Sequence, residues 1–136
     1  MSDTAPAPTV WLTLRYKDAP AAIDFLKKAF GFEERAVYRS ETDPSIVEHA
    51  ELRWPEGGGV MLGSARPDSV IAELPPGVGS AYVVTDRPDE LFEQAKAAGA
   101  NIVRGLTEQD YGSRDFTVRD PEGVYWNFGT YRGTPD

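Results

Sequence analysis

The stretch RDPEGVYWNFG, residues 119–129, follows the same pattern as RWPEGGGVMLG, residues 53–63. Superposed without a gap, Arg53, Pro55, Glu56, Gly57 and Gly63 fall on Arg119, Pro121, Glu122, Gly123 and Gly129. Each stretch places a Pro-Glu-Gly turn between two strand-like segments, which is typical of a β-hairpin. A hairpin that recurs after 66 residues predicts a supersecondary unit that occurs twice.

The segments around the two hairpins occur in the same order. In the first half we predict strands over 10–16, 32–40, 46–54 and 59–64, and a helix over 19–30 that Asp18 caps and Gly31 ends. In the second half we predict strands over 80–86, 100–105, 113–120 and 124–131, a helix over 89–99 and a loop over 106–112. Two βαβββ modules in tandem predict an α+β fold with pseudo-twofold symmetry.

The module boundaries follow from the changes in composition. We predict an N-terminal tail over 1–9, a first module over 10–64, a linker over 65–78 and a second module over 79–131. The linker ends in Pro-Pro-Gly before the order of elements restarts. The two modules together make one domain.

The composition excludes several classes of function. With no cysteine among 136 residues, disulfides, thiolate metal sites and thiol nucleophiles are excluded. The net charge of −8 argues against nucleic acid as a partner. No apolar run is long enough for a membrane helix, and MSDTAPAPTV lacks the basic and apolar regions of a signal peptide. We expect a cytoplasmic protein with no membrane partner.

Three stretches resemble the vicinal oxygen chelate superfamily of glyoxalases, bleomycin-resistance proteins and extradiol dioxygenases. These stretches are YKDAPAAIDFLKKAFGFEE, VTDRPDELFEQAKAAGA and YGSRDFTVRDPEGVYWNFGTY. The resemblance implies that the two modules form a U-shaped sheet groove with the helices outside. It also implies a homodimer, often with exchanged strands, and in the enzymes a divalent metal held by the first and last strands of each module.

The four metal positions that the resemblance implies are Trp11, Met61, Ser80 and Asn127. None of them is anionic or an imidazole, and the hard or borderline metals of these enzymes prefer such ligands. We therefore predict a metal-free groove without a cofactor, similar to that of the bleomycin-resistance proteins.

Strand alternation predicts which side chains line the groove. The predicted ligand-binding residues are Trp11, Thr13, His49, Glu51, Met61, Ser80, Tyr82, Asp115, Thr117, Tyr125 and Asn127. Residues of the opposite phase are apolar and should pack under the helices: Ala50, Leu52, Phe116, Val118, Trp126 and Phe128. Aromatic rings beside the carboxylates of Glu51 and Asp115 suit an aromatic or cationic small molecule.

Together with the absence of metal ligands, the resemblance to the bleomycin-resistance proteins implies a protein that sequesters an antibiotic or a related natural product, with no catalytic residue assigned. Enzymatic activity stays open as an alternative: a glyoxalase-like lyase or isomerase, or a dioxygenase. It would use a metal bound by His49, Glu51 and Asp115, or His49 as a base oriented by Glu51. A third possibility is a regulatory module whose groove is filled by side chains or by another protein.

Overall fold

The protein is described by a computed structural model, which covers residues 8–135. Most of the predicted tail over 1–9 lies outside the described residues. Two four-stranded mixed sheets and two helices form the α+β architecture that the repeat predicts. In the described part of the chain, no helix is long and apolar enough to cross a membrane.

The first sheet has the strand order β1-β4-β3-β2, with β1 parallel to β4 and the other pairs antiparallel. Its strands are β1 (Leu12–Tyr16), β2 (Glu33–Arg39), β3 (Val47–Arg53) and β4 (Gly59–Ser64). The second sheet repeats this arrangement in the order β5-β8-β7-β6. Its strands are β5 (Ser80–Val84), β6 (Asn101–Glu108), β7 (Arg114–Arg119) and β8 (Tyr125–Gly129).

Strand β6 is longer than the sequence pattern predicts. The pattern predicts a loop over 106–112, but Thr107 pairs with Asp115 and Glu108 pairs with Arg114. Pairing with β7 therefore carries the strand three residues further, and the prediction is wrong for the first part of that segment.

Each module has one helix at the predicted place. Helix α1 (Ala19–Phe25) begins after Asp18, whose carboxylate accepts a hydrogen bond from the N–H of Ala21 at 3.1 Å. It continues as a wider π-helical turn over Leu26–Phe30 and ends at Gly31, whose φ of 87° lies in the left-handed region. Helix α2 (Pro88–Ala97) starts with proline at its first position.

The hydrophobic core lies on the helix side of both sheets, as the alternation predicts. Phe116, Val118, Trp126 and Phe128 are fully buried, and so are Ala50 and Leu52. The two modules share this core across their helix sides. The ring of Trp54, which follows β3, lies 5.7 Å from that of Phe128 in β8, and Phe30 lies 4.7 Å from Phe128. The opposite faces of the two sheets therefore point away from the shared core.

The two Pro-Glu-Gly turns hold the modules together reciprocally. In the first hairpin, the carboxylate of Glu56 accepts hydrogen bonds from the Thr85 hydroxyl and the Asp86 N–H, both at 2.8 Å. In the second, the carboxylate of Glu122 accepts from the N–H groups of Lys17 and Asp18, at 2.6 and 2.8 Å. Each hairpin thus satisfies backbone donors where the other module passes from its first strand to its helix.

The residue before each turn adds a second link, with different chemistry in each hairpin. Trp54 donates from Nε1 to the carbonyl of Val84 at 2.9 Å. At the equivalent position, the buried carboxylate of Asp120 accepts from the Tyr16 hydroxyl at 2.6 Å and from Trp126 Nε1 at 3.1 Å. Burial, together with the charge of Asp120, raises the pKa of Tyr16 far above its usual range, so its hydroxyl stays protonated and donates.

Asp120 also closes its own turn. Its other oxygen accepts three backbone N–H bonds, from Glu122, Gly123 and Val124, at 2.9 to 3.0 Å. Gly123 supplies the positive φ of 117° that the turn needs. One carboxylate therefore has five donors within one buried site, where an unmet donor would be costly.

We expect the substitution Asp120→Asn to lower the free energy of unfolding by about 3 kcal/mol, because the amide replaces an acceptor by a donor among buried N–H and O–H groups. Urea denaturation measures the change. Asp110→Asn is the matched control, since Asp110 is exposed and has no hydrogen bond among the described residues, and its effect should stay within about 0.5 kcal/mol. Equal effects of the two substitutions would contradict this account of Asp120.

Candidate functional site

The predicted groove residues of the first module lie together on the sheet face that points away from the core. We call this set the first face: Trp11, Thr13, His49, Glu51 and Met61. Met61 of β4 pairs with Thr13 on one side and Glu51 on the other. Trp11 precedes β1, and its ring lies over Gly59, where a β-carbon would stand only 2.9 Å from the indole. The same β-carbon would stand even closer to the backbone oxygen of Leu52, so only glycine fits beneath the ring at position 59.

Glu51 and His49 already interact on the first face. His49 Nε2 and Glu51 Oε2 are 2.9 Å apart, and both side chains are partly exposed. The imidazole ring also stacks on Tyr38 of β2, at 6.2 Å between ring centres and an interplanar angle of 19°. The Glu51 carboxylate at one ring nitrogen and the Tyr38 ring against the imidazole face fix the orientation of the His49 side chain.

The predicted groove residues of the second module form the second face: Ser80, Tyr82, Asp115, Thr117, Tyr125 and Asn127. Asn127 pairs with Tyr82 and Thr117 in the sheet register. Its side-chain oxygen accepts from the Thr117 hydroxyl at 2.7 Å, and its nitrogen donates to the Ala81 carbonyl at 3.1 Å. The amide of Asn127 is therefore engaged at both ends within the chain.

Asp115 is the centre of a polar cluster on the second face. It is buried, and one oxygen accepts from Arg104 at 2.8 Å and from Gln109 at 3.0 Å. The other oxygen accepts a weaker bond from the Tyr111 hydroxyl at 3.4 Å. Desolvation and the charge of Asp115 raise the pKa of Tyr111. The charge that suggested a cationic ligand is thus compensated by Arg104.

Exposed tyrosines surround this cluster. Tyr111 and Tyr131 are stacked at 5.5 Å with an angle of 23°, and the Tyr82 hydroxyl donates to the carbonyl of Tyr131 at 2.7 Å. Their exposed fractions are 45% for Tyr82, 55% for Tyr111 and 38% for Tyr131. We call these three residues the tyrosine platform. Tyr125 is also exposed, but the guanidinium of Arg119 lies over its ring at 5.3 Å.

Sequence reasoning did not predict four residues of this region: Arg104, Gln109, Tyr111 and Tyr131. Tyr131 continues the alternation of Tyr125, Asn127 and Gly129, so the period of β8 could have revealed it. Tyr111 lies in the β6–β7 turn, where no periodicity applies. The conformation of this turn brings it to Asp115, four residues later, and the tertiary structure stacks it on Tyr131.

The first and second faces of one chain lie on sheet faces that point away from the shared core. Among residues 8–135, no hydrogen bond or ion pair joins a member of one face to a member of the other. The structure therefore places the predicted site residues in two groups within one chain rather than in a single cluster.

The four positions implied for a metal do not fit a divalent ion. Trp11 and Met61 offer no oxygen or imidazole nitrogen, Ser80 offers a neutral hydroxyl, and both ends of the Asn127 amide are engaged. For the alternative set, Asp115 is bound to Arg104 in the other sheet from His49 and Glu51. Over residues 8–135, no three His, Asp or Glu side chains are close enough to share an ion.

Comparison of the amino-acid sequence with known proteins finds one family and several relatives that are similar over most of the chain. The family model described as Glyoxalase/Bleomycin resistance protein/Dioxygenase superfamily matches residues 9–128. An uncharacterized protein of Mycobacterium bovis is 36% identical in an alignment of length 119 that covers 82% of this chain and 76% of that protein. An uncharacterized protein of Mycobacterium tuberculosis has the same identity over 82% of this chain and 68% of its own length.

Solved structures show the same fold. TioX from Micromonospora sp. ML1 is 31% identical, with a TM-score of 0.74 over 89% of this chain and 98% of TioX. A glyoxalase/bleomycin resistance protein/dioxygenase from Nocardioides has a TM-score of 0.67 over 98% of this chain and 91% of its own. At 20% identity, the second similarity concerns the fold alone.

Proposed function

Because this chain belongs to the glyoxalase, bleomycin-resistance-protein and dioxygenase superfamily, we propose that it binds and sequesters a small aromatic molecule. The ligand would be an antibiotic or a related natural product, held without a metal and without a chemical step. The tyrosine platform carries this proposal. Three exposed tyrosine rings, ordered by a stacking contact and a hydrogen bond, offer flat apolar surface to a planar ligand at a low cost in conformational entropy.

The polar groups around the platform support binding rather than catalysis. Asp115 has three donors, Asn127 is engaged at both ends, and the Tyr82 hydroxyl donates to a carbonyl. Groups held in this way orient rings and define a surface, and they do not need to exchange protons with a ligand. On the first face, the half-buried Trp11 adds another flat surface.

We propose further that two copies of the chain complete each site. The first and second faces are directed away from the core that the modules share, so the first face of one copy can meet the second face of another. A twofold homodimer would then contain two equivalent grooves. Such a groove would enclose a ligand between Trp11 and Met61 of one copy and the tyrosine platform of the other.

We expect a panel of antibiotics that includes bleomycin and mitomycin to contain a compound that binds with micromolar or tighter affinity. Binding should quench tryptophan fluorescence and raise the melting temperature, with the compound recovered unchanged. Trp54 and Trp126 are buried, so Trp11→Phe should remove most of the quenching. Tyr111→Ala should weaken binding about tenfold through lost stacking, while the control Val103→Ala, exposed on β6, should not. A panel that leaves fluorescence and melting temperature unchanged would refute the proposal.

The homodimer is tested by complementation, using a compound from that panel. Variants Met61→Asp (first face) and Tyr111→Ala with Tyr131→Ala (second face) should each form dimers that bind poorly. After subunit exchange, each mixed dimer should have one intact groove, so an equimolar mixture should regain about a quarter of the wild-type sites. Analytical ultracentrifugation gives the mass and fluorescence titration the number of sites. No regained binding in the mixture would contradict a shared groove.

The contact between His49 and Glu51 supports one alternative, a lyase, isomerase or dioxygenase that uses His49 as a base or as a metal ligand. We expect purified protein to contain much less than one equivalent of Fe, Mn, Ni or Zn by elemental analysis. His49→Ala should leave ligand binding within about threefold of wild type, since His49 would contribute contact area only. Stoichiometric metal that is lost in His49→Ala would favour the enzyme over the binding protein.

A further inference from the structure

The first face contains a pocket of about 180 Å³ whose outer wall is the linker between the modules. Strands β1, β3 and β4 supply its floor, and residues after Ser64 supply the wall. The lining includes Thr13, Arg15, His49, Met61, Arg66 and Ser69. The linker is therefore part of this candidate site as well as a connection.

Arg15 holds the linker in this position. Its guanidinium donates to the carbonyls of Ile71 at 3.2 Å, Arg66 at 3.4 Å and Leu74. All three acceptors are uncharged, so these bonds order the linker without neutralising the positive charge of Arg15. Within residues 8–135, Arg15 has no ion pair with a carboxylate.

Arg66 is the unusual residue of the pocket. Its Nε is buried, yet it has no hydrogen-bond partner, which is unfavourable for a guanidinium N–H. In the described part of the chain, the Arg66 side chain also forms no ion pair. The Arg66 side chain lines the pocket and is only partly buried as a whole, so its guanidinium group is the donor that an acceptor in the pocket would meet.

The charges around the pocket favour an anionic acceptor. Two guanidinium groups line it, and Glu48 is the one carboxylate among the lining residues. Glu48 forms no ion pair with another described residue, and neighbouring Glu51 is bonded to His49. The lining thus has an excess of positive charge in a protein whose net charge is −8. Guanidinium groups bind carboxylates through short, charge-assisted hydrogen bonds.

We infer that this pocket binds a carboxylate or a chemically similar oxyanion of the ligand, with the Arg66 guanidinium as a donor. The inference rests on the proposed function, because it assigns one end of the sequestered molecule to the first face. It revises the expected ligand class: the carboxylates of Glu51 and Asp115 suggested a cation, but both have partners within the chain. In the proposed groove, an aromatic acid would place its ring on the tyrosine platform of one copy and its carboxylate in the pocket of the other.

The test compares two probes of nearly the same shape, the anion 1-naphthoate and the neutral amide 1-naphthamide. Isothermal titration calorimetry should show that wild-type protein binds naphthoate about tenfold more tightly, which is the effect of one charge-assisted hydrogen bond. Arg66→Gln should remove this preference and leave the affinity for naphthamide within about twofold. The control Arg35→Gln should keep it, because Arg35 is exposed on β2 and its side chain forms no hydrogen bond with another described residue.

A spectroscopic readout separates binding from stability. In ¹H–¹⁵N spectra, the Nε–H signal of Arg66, assigned from its loss in Arg66→Lys, should shift saturably with naphthoate and stay unchanged with naphthamide. Arg66→Gln should melt no lower than wild type, since it removes a donor that has no acceptor. Equal binding of the two probes to wild type, or a preference that survives Arg66→Gln, would overturn the inference and leave sequestration intact. Binding of neither probe, together with a failed antibiotic panel, would overturn both.

Discussion

The arrangement of this protein depends on reciprocal hydrogen bonds between its modules, in which each module contributes one glutamate as the acceptor. Glu56 and Glu122 occupy the same position in the two hairpins, and each accepts hydrogen bonds from the strand-to-helix connection of the other module. Donor groups at such a connection need acceptors, and a carboxylate satisfies two of them at once: two backbone N–H groups for Glu122, and one backbone N–H and one hydroxyl for Glu56. The repeat therefore stabilises the fold directly, because each hairpin provides the acceptor for donor groups of the other module.

This reciprocal bonding has a consequence for the site. By holding the hairpins against the opposite modules, it brings the helix sides of the sheets into one core, where Trp54 meets Phe128. The first and second faces are then left on the outside, where the proposed dimer would use them. The same contacts that stabilise the chain thus separate the two halves of its candidate site.

The two faces differ from an ordinary polar surface in which of their groups lack a partner within the chain. Nearly all charged and amide groups there have partners within the chain, as the bonds of Asp115 to Arg104 and of Asn127 to Thr117 illustrate. What remains free is aromatic surface, mainly the tyrosine platform, and one buried guanidinium donor at Arg66. Under the proposed function, such a surface would select a ligand by shape and by a single charge.

Much of this could be predicted from the sequence, because the governing interactions are local or periodic. The spacing of the Pro-Glu-Gly turns indicated two modules, and period-two alternation assigned Phe116 and Trp126 to the core and Thr117 and Asn127 to the other face. Asp18 and Gly31 marked the bounds of the first helix through capping chemistry. Each of these depends on neighbours within a few residues along the chain.

Only the tertiary structure decided the contacts between residues far apart in the chain. It stacked Tyr111 on Tyr131, folded the linker over the first face through Arg15, and left the Arg66 Nε–H without an acceptor. It also determined that the modules meet through their helix sides. No periodicity encodes such contacts, because they depend on which donors and acceptors remain unmatched once the chain has folded.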